Sequence, residues 1–341
     1  MGYKAEKEKI EKEQALFKKI LVCILVFCVL GGCLFSFFVK PESWKYYVAL
    51  PNVDKRKAGE LRIHYLDVGQ GDASLIELPD GRVMLIDGGD GSEAATKSVL
   101  RYLNALKIKE IDHLIVTHTD SDHCGGLADV LKHKTVFNAY LPPSFPENGT
   151  KYAEFYAALV KENCNLFYSS RTTSLLSKDQ TMEYPYSVQF LYPYGKMVDD
   201  VLAGKLTFSD DNELSAVVWL EYMDVSALFM GDAPQETEEQ LLKDDKVGAL
   251  QAIGVHLQST ELLKLSHHGS KTATSLEFLQ YLGVKDGVIS CGKDNLYGHP
   301  ASETLARLTQ AQVKAHRTDV NGHIVATISK NGSYKIEYIS T

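Results

Sequence analysis

Residues 114–126 read LIVTHTDSDHCGG, a stretch in which an apolar run is followed at once by charged and imidazole side chains. An apolar run typical of a buried strand leads to Thr117. Two histidines and two aspartates follow within residues 118–123, and Gly125 and Gly126 end the stretch. We expect the apolar residues to form a strand and the polar residues to form a loop at its carboxyl end. The glycine pair would then let the backbone turn into a helix.

Two further polar clusters follow strand-like apolar runs in the same way. ALFM leads to Gly231 and Asp232, and LLKLS leads to the pair His267 and His268. Loops at the carboxyl ends of strands are where α/β proteins place their chemistry. Three such clusters favour one shared site over three unrelated solvated loops.

The residue types in these clusters predict binding of divalent metal ions. Imidazole and carboxylate groups bind Zn²⁺, Mn²⁺ and Mg²⁺, whereas the six cysteines show no spacing typical of a thiolate zinc site or a disulfide framework. Two divalent ions against Asp120, Asp122 and Asp232 would leave a net charge of about +1 and would supply a metal-activated hydroxide. Such a site attracts an anion such as a phosphodiester. Asp120 also makes the first metal position harder and more tolerant of Mn²⁺ or Mg²⁺.

Short strand-like runs alternate with helical spacings through most of the chain, which predicts one α/β domain over residues 61–341. Helices are expected at Pro234–Leu242, Ser275–Leu282 and Ser302–Gln310. Residues 140–210 are rich in tyrosine and predict an irregular segment. We favour packing as the role of these tyrosines over stacking on nucleic-acid bases.

The first forty residues differ from the rest of the chain. Residues 1–19 are rich in lysine and glutamate, and residues 20–39 carry no charge, which matches the length of a membrane-spanning helix. Residues 1–40 carry a net charge of +3 and the remaining chain carries −11, so the positive-inside rule predicts a cytoplasmic charged segment and a domain outside the membrane. Residues 40–60 are expected to form a linker. A cleaved signal peptide, a buried globular helix and a lipoprotein anchored at Cys33 are less favoured alternatives.

Seven ordered blocks of sequence resemble the metallo-β-lactamase-fold domain at the C-terminus of ComEC, a family of bacterial competence DNA-uptake proteins. They are LDVGQGDASLIELPDGRVMLIDGG (66–89), THTDSDHCGG (117–126), DNELSAVVWLE (211–221), MGDAP (230–234), LKLSHHGSKTATS (263–275), GKDNLYGHP (292–300) and HRTDVNGHI (316–324). The resemblance implies a four-layer αβ/βα sandwich, preceded in this chain by one transmembrane helix, with a dinuclear metal site at one edge.

The resemblance also implies a role for each matched residue. His118 and Asp120 would bind one metal ion, Zn²⁺ or Mn²⁺, and Asp122 and His123 would bind the other. Asp232 would bridge the two ions. One of the pair His267 and His268 would complete the second site, with His268 favoured but the choice left open. Asp87 would support the metal loops.

A further set of matched residues is expected to contact substrate, namely Asp72, Asn212, Ser215, Ser270, Lys271, Tyr297 and His299. Together with Asp122, Lys271 and His299 are the candidate catalytic residues. Lys271 would pair with a phosphate, and His299 would protonate a leaving oxygen.

The chain departs from the family pattern in three ways. Asp120 stands where the more usual loop has a histidine, which is familiar in the ComEC-like branch. The histidine that many relatives give to the first metal is not evident, so Asn212 or water would stand in. A single hydrophobic segment cannot form an uptake channel, so we expect a tethered relative with a possible channel partner, in a bacterial cell membrane.

Three functions are compatible with these features. The favoured one is a membrane-tethered, metal-dependent phosphodiesterase or nuclease that acts on extracellular DNA, single-stranded DNA in particular. The alternatives are a surface phosphorylcholine esterase or other small phosphodiester hydrolase, and a non-catalytic tethered binding protein. The charge of −11 opposes DNA binding, because lysine and arginine usually neutralise the phosphates. The oligomeric state is left open.

Overall fold

The computed structural model describes residues 2–147, 149–176 and 183–340, which divide into two compact units, residues 1–49 and residues 50–341. The first unit consists of α1 (Gly2–Phe38) and a short 3₁₀ helix (Pro41–Tyr46). The part of α1 from Lys12 to Ser36 is long and apolar enough to cross a membrane, by length and composition. The lysine- and glutamate-rich residues belong to the same helix, because no helix-breaking residue separates them from the apolar run.

The second unit contains fifteen β-strands among the described residues. They are β1 (Leu61–Tyr65), β2 (Ser74–Glu77), β3 (Val83–Ile86), β4 (Glu110–Ile115), β5 (Thr135–Leu141), β6 (Asn165–Tyr168), β7 (Ser174–Leu176), β8 (Tyr186–Tyr192), β9 (Val217–Tyr222), β10 (Val225–Phe229), β11 (Thr260–Lys264), β12 (Asp286–Ile289), β13 (Lys314–Arg317), β14 (His323–Ile328) and β15 (Tyr334–Ile339).

These strands form two mixed sheets. The first has the order β15-β14-β1-β2-β3-β4-β5-β6, and the second has the order β13-β12-β11-β10-β9-β8-β7. In the first sheet, β3, β4, β5 and β6 are parallel neighbours. In the second, β10, β11, β12 and β13 are parallel neighbours. The loops that follow β3 and β4, and those that follow β10 and β11, therefore leave the carboxyl edges of parallel strands.

Helices of the second unit also have defined bounds. They are α2 (Glu93–Ala105), α3 (Ser121–Cys124), α4 (Leu127–Leu131), α5 (Lys151–Leu159), α6 (Gly195–Leu202), α7 (Gln235–Lys246), α8 (Leu276–Leu282), α9 (Ser302–Gln310) and α10 (Thr318–Asn321), with short 3₁₀ turns between them.

The two sheets pack face to face and bury a shared apolar core. Side chains alternate between the two faces of a strand, so Ile63 and Tyr65 of β1 point the same way and both are fully buried. The ring of Tyr65 lies 6.0 Å from the ring of Phe229 on β10 of the other sheet. This core holds the two sheets, and hence their loops, in fixed relative positions.

The other face of each sheet is covered by helices. Between Ile63 and Tyr65, His64 points to the opposite face, where its Nδ1 lies 2.8 Å from the Tyr102 hydroxyl of α2. On the second sheet, Trp219 of β9 packs in a cluster that includes Leu241 of α7 and residues of α8 and α9. The order of layers is therefore helix, sheet, sheet, helix, and the expected four-layer α/β sandwich is confirmed.

The expected elements agree with the structure in most places. Helix α9 has the predicted bounds, and α7 continues to Lys246, past the predicted end at Leu242. Residues 140–210 were expected to be irregular, and this was wrong, because they contribute strands to both sheets and two helices. Four of their tyrosines are buried, namely Tyr140, Tyr152, Tyr186 and Tyr192, so packing explains much of this tyrosine content.

Candidate metal centre

The loop that follows β4 brings the polar residues of the opening stretch to the edge of the first sheet. It continues into the single turn of α3, which contains Asp122 and His123. Gly125 and Gly126 have φ values of −61° and −82°, which any residue adopts, so turning the backbone does not require glycine here. Close packing does, since a Cβ on Gly126 would lie 2.1 Å from the carbonyl oxygen of Gly88. The expectation that the pair serves the turn was wrong.

Four side chains from three loops converge beside this turn. The Nε2 atom of His123 lies 3.1 Å from Oδ1 of Asp232, which follows β10. The Nε2 atom of His268, which follows β11, lies 3.1 Å from Oδ2 of Asp122 and 3.5 Å from Oδ2 of Asp232. The two Nε2 atoms are 3.4 Å apart. We call His123, Asp122, Asp232 and His268 the central cluster.

The far sides of both imidazoles are held by hydrogen bonds that aim Nε2 at the cluster. Nδ1 of His123 lies 2.8 Å from Oδ2 of Asp87, and Nδ1 of His268 lies 3.0 Å from the carbonyl oxygen of Ser290. Asp87 also accepts hydrogen bonds from the amide and hydroxyl of Thr117, at 2.9 Å and 2.7 Å. A proton on each Nδ1 leaves the Nε2 lone pair free, which is the arrangement that metal-binding histidines use.

The charges of the cluster are strongly coupled. Burial opposes ionisation of Asp232, but His123 and His268 outweigh it and hold the pKa of Asp232 well below its usual value. Burial likewise opposes the ionisation of Asp122, and the hydrogen bond from His268 brings its pKa to about 2. Asp232 and Asp87 raise the pKa of His123 well above its usual value despite its burial. The cluster therefore holds anionic carboxylates that require positive charge nearby, from protons or from metal ions.

His118 and Asp120 lie next to the central cluster. The ring of His118 is 4.1 Å from the ring of His123, and its Nε2 atom is 3.7 Å from Oδ2 of Asp120. This Nε2 atom is buried and has no hydrogen-bond partner. A buried imidazole nitrogen without a partner is costly, and coordination of a metal ion would satisfy it. The residues present therefore fit divalent metal ions, both by donor type and by this unsatisfied nitrogen.

The structure distinguishes the two neighbouring histidines. His268 is 1% exposed and its Nε2 atom belongs to the central cluster, whereas the side chain of His267 is 30% exposed with its Nε2 atom 3.7 Å from Asp232. Both residues have positive φ, 49° and 52°, which is uncommon outside glycine. A backbone conformation of this kind persists only where the surrounding structure enforces it, and such conformations cluster at functional sites.

Asp72 was expected to contact substrate, but the structure places it in the support of the cluster. It is buried, and its Oδ2 atom accepts a hydrogen bond from Nζ of Lys264 at 2.7 Å. Its Oδ1 atom lies 3.8 Å from Nδ1 of His268. Donor atoms of Asp72, His123, Asp232 and His268 all lie within 4.8 Å of one another. Lys264 lowers the pKa of Asp72 against the effect of burial, so this carboxylate is charged.

An open cavity of about 260 Å³ lies over the cluster, and only some of the other residues expected to contact substrate line it. Tyr297 and His299 line it, as do Asp120, Asp122, Asp232, His267, His268, Gln70 and Ser121. Tyr297 is 73% exposed and its ring stacks on that of His299 at 5.8 Å. Nδ1 of His299 is buried without a partner. Burial together with the charges of His268 and His267 lowers the pKa of His299, so its neutral form prevails near pH 7.

The other four expected contacts are not among the residues that line this cavity. The Ser215 hydroxyl accepts a hydrogen bond from the amide of Asp232 at 3.2 Å, which places it in support of that residue. The Ser270 hydroxyl lies 2.9 Å from that of Thr272. Lys271 is exposed, and its carbonyl oxygen accepts from Arg307. Asn212 is buried, with its Oδ1 atom unpartnered.

Lys264 was missed by the sequence reasoning, although a usable signal was present. It lies in the run LLKLS, where a lysine interrupts an otherwise apolar strand. Lysine is rarely buried unless it is paired, and Lys264 is 2% exposed. Gln70 and Ser121, which line the cavity, had no comparable signal because each is an ordinary polar residue in a loop.

Comparison with known proteins identifies the family of the chain. The family model of the metallo-beta-lactamase superfamily matches residues 66–293. ComE operon protein 3 of Bacillus subtilis is 29% identical over 282 residues, which cover 78% of this chain and 33% of the relative. Competence protein ComA of Neisseria gonorrhoeae is 28% identical over 277 residues, covering 80% of this chain and 33% of that protein.

A third relative, Recombination protein 2 of Haemophilus influenzae, is 26% identical over 266 residues, covering 77% of this chain and 28% of that protein. The chain thus spans about a third of the length of these curated relatives. The resemblance to the ComEC family is confirmed. From the fold, the central cluster and the family match, the chain belongs to the metallo-beta-lactamase superfamily.

Proposed function

We propose that the protein is a membrane-anchored, metal-dependent phosphodiester hydrolase whose preferred substrate is single-stranded DNA outside the cell membrane. The observation that carries the proposal is the convergence of the central cluster with His118 and Asp120 beneath an open cavity. Two divalent ions bound there would activate water and stabilise the charge that develops on phosphate oxygens. The relatives that carry competence and recombination in their names support a nucleic acid as substrate.

The residues of this chain would divide the work of binding and orientation. His118 and Asp120 would hold one ion, and Asp122, His123 and His268 would hold the other, with Asp232 between the two. Asp87 would keep His123 in place, and Ser215 would keep Asp232 in place. Lys264 would hold Asp72 beside His268. Rigid support of this kind matters because ligands must be held close to their productive geometry.

At the mouth of the cavity, Tyr297 and His299 would contact the substrate. The neutral imidazole of His299 can donate one hydrogen bond to a phosphate or leaving oxygen, which is a weaker role than that of a charged acid. We no longer assign a phosphate-binding role to Lys271, because it is exposed and absent from the lining of the cavity.

The membrane anchor is part of the proposal. The uncharged residues 20–39 would span the bilayer, with residues 1–19 in the cytoplasm and the second unit outside. A tethered hydrolase could act beside a separate membrane channel, since this segment alone cannot form one.

The substrate is tested with the full-length protein in detergent, stripped with EDTA and reloaded with Mn²⁺, Zn²⁺ or Mg²⁺. We expect cleavage of an end-labelled single-stranded oligonucleotide, slower cleavage of the duplex, and a loss of about a hundredfold or more in Asp122→Ala. Glu110→Gln, an exposed carboxylate at the opposite end of β4, is the matched control and should cleave normally. Cleavage by Asp122→Ala at the wild-type rate would remove the proposed site from the reaction.

A further inference from the structure

A second cleft adjoins the cavity over the central cluster. It has a volume of about 340 Å³, and Asp120 and Ser121 line both spaces. The remaining lining residues are Thr119, Ser144, Phe145, Glu147, Thr150, Lys151, Tyr152 and Asp211. A substrate whose phosphate lies at the central cluster therefore has room for a neighbouring group in this cleft.

The charges of the cleft do not suit a second phosphate. Glu147 and Asp211 contribute carboxylates in addition to Asp120. Of the described residues that line the cleft, Lys151 alone is basic, and its Nζ atom is held 2.9 Å from Oε2 of Glu154. The first turn of α5 offers little to an anion either, because the Thr150 hydroxyl already accepts from the amide of Ala153. A neutral or positively polarised group that donates hydrogen bonds suits this cleft better.

Aromatic side chains on the same walls indicate that this group is flat. Phe145 is 62% exposed and lines the cleft, so its ring is accessible to a ligand there. Tyr152 is 2% exposed, and its buried hydroxyl has no hydrogen-bond partner among the described residues.

We infer that this cleft is a nucleobase subsite, which receives the base next to the scissile phosphate and favours bases that carry an exocyclic amino group. The inference deepens the proposed function and rests on it. Stacking on Phe145 would hold any base, since every base has a π-face. Discrimination would come from the carboxylates of Glu147 and Asp211, because carboxylates accept from base amino groups.

Guanine should bind best in this cleft. Its N1–H and exocyclic amino group lie side by side and can donate two parallel hydrogen bonds to one carboxylate. Cytosine and adenine each offer one amino group, whereas thymine offers only its N3–H, which lies between two carbonyl oxygens that a carboxylate repels. Asp211 accepts from the Thr119 hydroxyl through Oδ2, which orients the carboxylate and leaves Oδ1 for a base.

The test uses the metal-loaded, full-length protein and the p-nitrophenyl esters of the four deoxynucleoside 5′-monophosphates. The base-free diester bis(p-nitrophenyl) phosphate reports separately on the proposed hydrolase activity. We expect kcat/KM for the guanine ester to exceed that for the thymine ester by about tenfold or more, the effect of one good base contact. Hydrolysis of the base-free diester with no preference among the four esters would overturn the subsite and leave the proposed function intact.

Substitutions connect the preference to the cleft. Glu147→Gln and Asp211→Asn should each lower the guanine-to-thymine ratio several-fold with metal content unchanged, and Phe145→Ala should lower kcat/KM for all four esters by about tenfold. Glu110→Gln should leave the ratio unchanged. An unchanged ratio in both carboxamide variants would contradict the inference.

A further outcome distinguishes a different ligand for the same cleft. Carboxylates and an exposed phenylalanine could also receive a quaternary ammonium group. If p-nitrophenyl phosphorylcholine is hydrolysed faster than every nucleotide ester, and Asp211→Asn removes that advantage, the nucleobase assignment is wrong.

If neither the base-free diester nor any ester is hydrolysed, the proposed function itself fails, and binding of free guanosine by NMR then decides the subsite alone. Shifts with guanosine that Phe145→Ala abolishes would support it, and their absence would overturn it.

Discussion

At the scale of single residues, the backbone directs the adjacent side chains of His267 and His268 to different places. Both have positive φ, so the chain turns sharply between them, and only His268 directs its Nε2 atom into the central cluster. The carbonyl oxygen of Ser290 holds its Nδ1 atom from behind. His267 faces the open cavity instead, next to His299 at a ring distance of 5.7 Å.

The pair provides its own matched comparison. We expect His268→Asn to weaken metal binding by about a hundredfold, because it removes a buried ligand, and His267→Asn to weaken it by about tenfold or less. Competition with a chromogenic chelator measures both affinities. Equal losses in the two variants would contradict the assignment of His268 as the ligand.

The buried ion pair between Lys264 and Asp72 predicts a large effect on stability. Among the described residues, Lys264 is the only charged partner within hydrogen-bond distance of Asp72. Lys264→Met would leave this buried carboxylate without a counter-charge, so the free energy of unfolding should fall by about 3–5 kcal/mol. The double variant Lys264→Met with Asp72→Asn should recover part of the loss. Urea unfolding followed by circular dichroism measures these values.

Lys335→Met is the matched control for that measurement. Lys335 pairs with Glu337 at 2.8 Å, but both side chains are more than half exposed, so the loss should be below about 1 kcal/mol. If Lys264→Met lost no more stability than Lys335→Met, the buried pair would not stabilise the centre.

At the scale of elements, the central cluster exists because three loops, after β4, β10 and β11, leave the carboxyl edges of two sheets that pack face to face. The polar residues after LIVT, ALFM and LLKLS could be predicted to converge, since the apolar runs identify strands and their ends meet at one edge. The choice between His267 and His268 could not, because strand patterns do not specify the φ values of a loop. The same holds for Asp72, because a strand pattern does not show that its buried carboxylate pairs with Lys264 from the other sheet.

A second contact between elements predicts how stability changes with pH. The amide of Asp67, in the loop after β1, donates to Nδ1 of His323 at the start of β14. Burial, with a contribution from His64, lowers the pKa of His323 to about 4. The stabilisation is therefore complete above the unfolded pKa of about 6.5 and is lost as the pH falls from there towards 4.

His323→Gln tests this contact, because glutamine keeps an acceptor for the Asp67 amide and does not titrate. In EDTA, we expect wild type to lose on the order of 1–3 kcal/mol more than His323→Gln between pH 7 and pH 4.5. His256→Gln, an exposed histidine, should follow wild type. Identical pH profiles for wild type and His323→Gln would contradict the linkage.

At the scale of the whole molecule, the net charge differs between residues 1–40, which carry +3, and the rest of the chain. The net charge of −11 after residue 40 means that affinity for DNA cannot come from a general basic surface. It would have to come from bound metal ions and from contacts with individual nucleotides. The proposal of a nucleobase subsite beside Asp120 therefore also explains how an acidic protein could select a nucleic acid.

The proposed orientation in the membrane predicts a labelling pattern. In intact cells, a membrane-impermeant maleimide should label Lys330→Cys, which is exposed in the second unit, and should label Lys12→Cys only after permeabilisation. A Cys164→Ser background removes the one native cysteine of the second unit that is not buried. Labelling of Lys12→Cys in intact cells, with Lys330→Cys protected, would reverse the orientation.

The cluster around Asp232 is proposed to hold the metal ions through which a phosphodiester is hydrolysed. The most direct test measures hydrolysis of bis(p-nitrophenyl) phosphate by the EDTA-stripped, full-length protein while Mn²⁺ or Zn²⁺ is added. The wild-type rate should rise from the buffer level to saturation, and Asp232→Asn should stay at the buffer level across the titration. A wild-type rate that persists in EDTA, or an Asp232→Asn rate that reaches wild type, would contradict the account.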